Sequence, residues 1–247
     1  MSAIPFALEG VEIAKKGWRV PKLRFFIRKD TSDQKSLDET IRKNTYLKKG
    51  VTVELGERWL DLGSNIGGFT CLAYAKGARE VISVEAEAQC YEMTSRNVKL
   101  NGFRFNGVPY AASLNPGKTK FYVFNSNRPK AQRRHSMTQP LKDFTVVEVN
   151  CMSVRQLVKT YKPDGMKVNI EGEEIAVMLH DPEAFRGVKK IAMEYSFDKD
   201  KRTSTYRQCL KNMSRDFTIV EARKVPPELE LFDFYPPNQF IYLLAKG

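Results

Sequence analysis

The stretch Asp61-Leu62-Gly63-Ser64-Asn65-Ile66-Gly67-Gly68-Phe69-Thr70 decides the fold. The apolar run Trp59-Leu60-Asp61-Leu62 leads into it as a short strand, and the run from Gly68 to Gly77 that leaves it has helical composition and a glycine C-cap. A second apolar run, Val81 to Glu85, ends on an acid 24 residues after Asp61. Strand, glycine-rich turn, helix and acid-ended strand form a nucleotide-cofactor arrangement. Glycine lets the backbone turn tightly beside a ligand, the helix N-terminus offers unpaired N–H groups, and a carboxylate at the next strand end accepts hydrogen bonds from ribose hydroxyls. On this reading Gly63 makes the turn, Gly67 and Gly68 keep side chains out of the ligand's space, and Glu85 holds the ribose.

The details of the turn select among cofactors. A dinucleotide motif, G-x-G-x-x-G, would place its second glycine where Asn65 stands, and a P-loop would need Lys-Ser or Lys-Thr after the last glycine. S-adenosylmethionine has no phosphate but carries an ammonium and a sulfonium, so an acid such as Asp61 beside the turn is electrostatically favourable.

Working outward, Cys90, Met93, Thr94, Asn97 and Val98 follow helical spacing and the helix closes at Asn101-Gly102. Further strands are expected at FYVF, TVVEV, MKVNI, IAMEY, FTIV and FIYLLA. Helices are expected around Val154 to Tyr161 and Tyr206 to Met213, and another ends at Asp181-Pro182. The alternation predicts an α/β fold built on a doubly wound, mainly parallel sheet. Residues 1–50 read as an accessory segment with a strand at LRFFIRK and a helix starting at Ser36, three residues before Glu39 as in a capping box; residues 51–247 form the cofactor-binding domain.

A 247-residue chain with 42% hydrophobic residues suffices for a sizeable core. No apolar run approaches the roughly 18 residues of a membrane span, and the N-terminus lacks a secretory leader, so a cytoplasmic location is expected. Four cysteines without a C-x-x-C pair read as small buried hydrophobes, and no metal site is expected. The net charge is +12. Lys15, Lys16, Arg19, Lys22, Arg24, Arg28 and Lys29 form one acid-free cluster, and the stretch from Lys118 to Lys142 forms another; both suggest a field that attracts an anionic acceptor or nucleic acid.

Three segments together resemble a known family. Asp61 to Phe69, Val84-Glu85 with Arg96 to Gly102, and Lys167-Val168-Asn169-Ile170-Glu171-Gly172-Glu173-Glu174 are similar to class I S-adenosylmethionine-dependent methyltransferases, and specifically to the FkbM family, whose K-[IV]-D-[VI]-E-G-x-E motif the last one resembles. RKDTSDQKSLDETI is similar to the family's region before the first strand. The resemblance spans roughly Arg28 to Tyr195 and implies a Rossmann-like methyltransferase sheet with an antiparallel C-terminal strand. It implies that Asp61, Gly63, Ser64, Asn65 and Gly67 line the methionine part of the donor, that Glu85 holds its ribose, and that Ala112 and Ser113 lie near adenine. It also implies an O-methyltransferase acting on a hydroxyl of a sugar, glycan or small metabolite.

Methyl transfer to a hydroxyl needs alignment and a destination for the proton. Reacting groups in open α/β sheets gather at the carboxyl ends of strands, which points to Asn169, Glu171 and Glu174 after MKVNI and to Glu194 in IAMEY, with Glu171 and Glu174 on one face of a helix start. The family usually has Asp where this chain has Asn169. The polar stretch RPKAQRRHSMTQP offers His135 as a base and Arg133 and Arg134 as contacts to the acceptor. A nucleic-acid methyltransferase is the alternative, with a ribose 2′-hydroxyl favoured over a base amine because no [DN]-P-P-[FYW] motif follows the fourth strand. A fold that has lost its chemistry is the third reading.

Overall fold

The computed structural model describes residues 8–13, 22–29, 31–124, 144–196, 203–222 and 239–247. Within them the chain starts with β1 (Leu8–Ile13) and β2 (Leu23–Arg28), then α1 (Asp33–Leu37), which runs into a π-helical turn over Asp38–Arg42. β3 (Arg58–Leu62), α2 (Gly68–Ala75), β4 (Glu80–Val84), α3 (Ala88–Leu100) and β5 (Asn106–Val108) follow. Next come β6 (Ala111–Ser113), β7 (Gly117–Phe124), β8 (Phe144–Ser153), α4 (Val154–Tyr161), β9 (Gly165–Val168) and α5 (Glu173–His180). β10 (Lys190–Tyr195), α6 (Thr203–Met213), β11 (Phe217–Glu221) and β12 (Gln239–Ala245) complete them.

Seven strands form the central sheet in the order β5-β4-β3-β9-β10-β12-β11. All run parallel except β12, which pairs antiparallel with both β10 and β11. Alternation along the strands explains the two layers of helices. Leu60, Leu62, Met166 and Val168 pack with Leu157 of α4, Met178 of α5 and Tyr206 of α6. Trp59, Val81 and Tyr242 point the other way, into a core shared with Phe69 of α2, Met93 of α3, Leu37 of α1 and Phe25 of β2. The first strands and helix thus bury their apolar side chains against the second face of the sheet. Among the described residues no helix is long and apolar enough to cross a membrane.

Two local expectations are corrected. Helix α1 begins at Asp33, three residues before Ser36, because the Asp33 carboxylate is drawn inward to Arg28 rather than left in a solvated turn. The capping box expected at Ser36 instead occurs at Ser153, whose side chain accepts from the Gln156 backbone N–H while Gln156 reaches back.

Arg28 is likewise not part of a basic surface. Its guanidinium is buried and meets Asp33 through two nearly parallel bonds of 2.9 and 2.7 Å. Its other amino nitrogen lies 4.0 Å from Glu87, the N-cap of α3. Removing one partner of such a buried pair leaves the other charge without compensation. Asp33→Ala should therefore lower unfolding free energy by about 3–5 kcal/mol. A urea midpoint unchanged from wild type would refute that role.

Candidate donor and methyl-transfer site

The carboxyl ends of β3, β4 and β9 open into one cavity with about 630 Å³ of empty space, part of it continuous with solvent. Gly63, Asn65, Glu85, Ala112, Asn169 and Glu171 line it, together with Tyr110, Phe121 and Cys90.

Local chemistry builds the turn. Gly63 has φ +73°, and a Cβ there would overlap the carbonyl oxygen of Asn169 on the neighbouring strand. Glycine is therefore required by the approach of β9 to β3. Asn65, with φ +51°, is fixed from four sides. Its N–H donates to Glu85 Oε2 at 2.8 Å, its carbonyl accepts from Thr94 Oγ1 at 2.6 Å, its Nδ2 donates to Ser36 Oγ at 3.3 Å, and its Oδ1 accepts from the Cys90 thiol at 3.4 Å. Asn and Asp tolerate the left-handed region better than most residues.

Glu85 is buried. Its Oε2 accepts from Asn65 N–H and its Oε1 from Glu87 N–H at 3.0 Å, which aims both oxygens beside the turn. Burial pushes its carboxyl up to about 7, although these two bonds oppose the shift. The remaining lone pairs suit a pair of vicinal hydroxyls, and the apolar wall of Ala112, Phe121 and Tyr110 suits a planar base. A ribose-and-purine donor fits these residues.

Several expected contacts lie elsewhere. Asp61 does not line the cavity: it is fully buried on the α2 side of β3, where Oδ2 accepts from Thr70 at 2.7 Å and Oδ1 lies 3.1 Å from Lys167 Nζ. Its role in the fold is to pin β3 to α2 and β9. Ser64 is buried against Thr94, and Ser113 donates to the Asn115 carbonyl at 2.6 Å; neither lines the cavity. Gly67 and Gly68 make room for neighbouring protein, since added Cβ atoms would meet Thr94 at 3.2 Å and Leu37 at 3.1 Å.

On the reacting side, Asn169 and Glu171 border the cavity, whereas Glu194 stands behind Asn169 and accepts from its Nδ2 at 2.8 Å. Glu171 and Glu174 do not share a helix face. Glu171 precedes α5 with φ +54°, while Glu174 is buried in the first turn and accepts from Gly172 N–H and Ser196 N–H, each at 2.9 Å. Glu174 thus ties the turn holding Glu171 to the end of β10. His135, Arg133 and Arg134 lie outside the described residues. Nothing in the local sequence marks Phe121, Tyr110 and Cys90 as cavity residues, because only the folded β7, the connection from β5 to β6, and α3 bring them together.

The strand order with its antiparallel β12, and a cavity ending at an acid-ended second strand, define the class: the chain is an S-adenosylmethionine-dependent methyltransferase. Residues 61–230 match the Methyltransferase FkbM domain, and the chain belongs to that family. No curated protein sequence matches it. Among solved structures it is similar to magnesium protoporphyrin IX methyltransferase from Synechocystis PCC 6803 with bound donor, at 9% identity and a TM-score of 0.49, covering 86% of this chain and 79% of that one. It is also similar to Aeropyrum pernix fibrillarin with natively bound S-adenosyl-L-methionine, at 13% identity and a TM-score of 0.43, covering 78% and 68%.

Proposed function

We propose that the protein transfers the methyl group to a hydroxyl of a sugar, glycan or small metabolite. The observation that carries this reading is Glu171, a carboxylate on the cavity wall just beyond β9. A hydroxyl must lose its proton as its oxygen attacks carbon, and a carboxylate there can receive it. Bound donor supplies an electrophilic methyl group on a sulfonium. The protein's part is to align: Glu85 anchors the ribose end, Gly63 and Asn65 shape the turn beside it, and Glu174 steadies the Glu171 turn. The sequence Asn169-Ile170-Glu171-Gly172, in place of [DN]-P-P-[FYW], argues against a base amine as acceptor.

Glu171→Gln should lower kcat by about 10²–10⁴-fold while leaving donor affinity within about threefold. The assay is donor-dependent labelling of a panel of deoxysugars, nucleosides and RNA. A variant that turns over at the wild-type rate on the best acceptor would remove Glu171 from the chemistry.

The net charge of +12 favours a second reading, methylation of a ribose 2′-hydroxyl in RNA. Retention of labelled RNA that falls steeply with salt, together with label found in RNA and in none of the sugars, would select it.

A further inference from the structure

Tyr46 follows the π-helical turn of the N-terminal segment, yet its hydroxyl reaches the carboxyl ends of β9 and β10. The ring is buried between the edges of Phe69 and Phe240, at centroid distances of 5.9 and 5.4 Å, with Lys167 Nζ 5.3 Å from its centroid. Its Oη donates to Glu194 Oε2 at 3.0 Å and accepts from Asn169 Nδ2 at 3.2 Å. The same Nδ2 donates to the same Glu194 oxygen at 2.8 Å. Burial pushes the Tyr46 phenol well above its usual range, so it remains a proton donor to the carboxylate.

The amide nitrogen of Asn169 is committed by this arrangement to both the carboxylate and the phenol. Turning the amide over would set Oδ1 against a carboxylate oxygen, so the carboxamide has a single favourable orientation. Asn169 Oδ1 is then a buried acceptor with no hydrogen bond among the described residues, on a residue that borders the donor cavity. Such an atom calls for a partner, and a ligand in the cavity can supply one. The nearby carbonyl of Gly63 already accepts from Lys167 Nζ at 2.6 Å. With the ribose at Glu85 and the purine against Ala112 and Phe121, the part of the donor left for the Asn169 end carries three N–H bonds.

We propose that Tyr46 and Glu194 hold the Asn169 carboxamide so that its Oδ1 accepts a hydrogen bond from the α-ammonium of S-adenosylmethionine. The inference rests on the donor-cavity reading and adds Tyr46 to it as a positioning residue. Through Tyr46 the N-terminal segment enters donor recognition without touching the donor.

Calorimetry with two ligands tests this. S-adenosylhomocysteine keeps the amino-acid end and methylthioadenosine lacks it. Asn169→Leu should weaken S-adenosylhomocysteine about 10–100-fold and leave methylthioadenosine unchanged. Tyr46→Phe, which keeps the ring packing, should weaken S-adenosylhomocysteine about 3–10-fold, again without effect on methylthioadenosine. If Asn169→Leu does not fold, the ratio of the two affinities in Tyr46→Phe decides alone. Equal losses for both ligands, or no loss for either, would overturn the assignment. Wild-type protein that binds neither ligand would instead overturn the donor-cavity reading, and the assignment with it.

Discussion

Glu85→Ala should reduce affinity for S-adenosylmethionine about a hundredfold or more, the largest binding effect expected of any single side chain in the cavity. Each hydrogen bond from a hydroxyl to a charged acceptor contributes about 1.5–3 kcal/mol, and Glu85 is placed to accept two. The substitution also frees the N–H groups of Asn65 and Glu87 that its oxygens now hold, loosening the turn. The pH dependence has a definite sign. Because burial raises the free carboxyl to about 7, the fraction ionised grows as pH rises through 7, and donor affinity should rise with it between about pH 6 and 8. Isothermal titration across that range provides the check. An affinity independent of pH, or a Glu85→Ala protein that binds as well as wild type, would contradict the assignment of the ribose to Glu85.

Gly63→Ala should be severely damaging for a change of one methyl group. The position combines φ +73° with a carbonyl oxygen from the next strand in the space a Cβ would need. A side chain can move aside, but a backbone carbonyl in a paired strand cannot do so without parting β3 from β9. That would break the bond from Asn169 N–H to the Leu62 carbonyl, now 3.0 Å. Left-handed strain and overpacking each cost about 1–3 kcal/mol, so a total near 3–5 kcal/mol is expected. The melting temperature should fall by roughly 10 °C or more, and donor binding should go with it. A variant melting within two or three degrees of wild type would show that the strands have more freedom than this geometry allows. Gly67→Ala presses on Thr94 rather than on a strand backbone alone and offers the milder comparison.

The strand, glycine turn and acid beside the cavity were readable in the sequence because their signals are local. Apolar runs, glycines and an acid at a fixed interval define β3, the turn and Glu85 without reference to distant residues, and the five buried positions of α3 match its helical spacing. What stayed hidden depends on neighbours far along the chain. The motif acid Asp61 looked like a ligand contact, yet alternation along β3 turns it toward α2 and Lys167. Gly67 and Gly68 looked like clearance for a cofactor alone, yet they also let α3 and α1 pack close to the turn. Arg28 looked like one member of a basic cluster because its partner Asp33 comes after the cluster ends and the pairing needs burial to take effect. Tyr46 gave no signal at all, since nothing in its surroundings announces that it ends up beside Asn169 and Glu194.

The sheet order also dictates when the molecule can be finished. Strand β12, residues Gln239–Ala245, lies between β10 and β11, both of which precede it in the chain. During synthesis β10 and β11 therefore emerge with their facing edges unpaired, and they cannot join until β12 is available to pair with both. A growing chain halted before that point presents open strand edges to any other chain that could pair with them. A nascent chain missing only β12 is thus the form that most needs a chaperone.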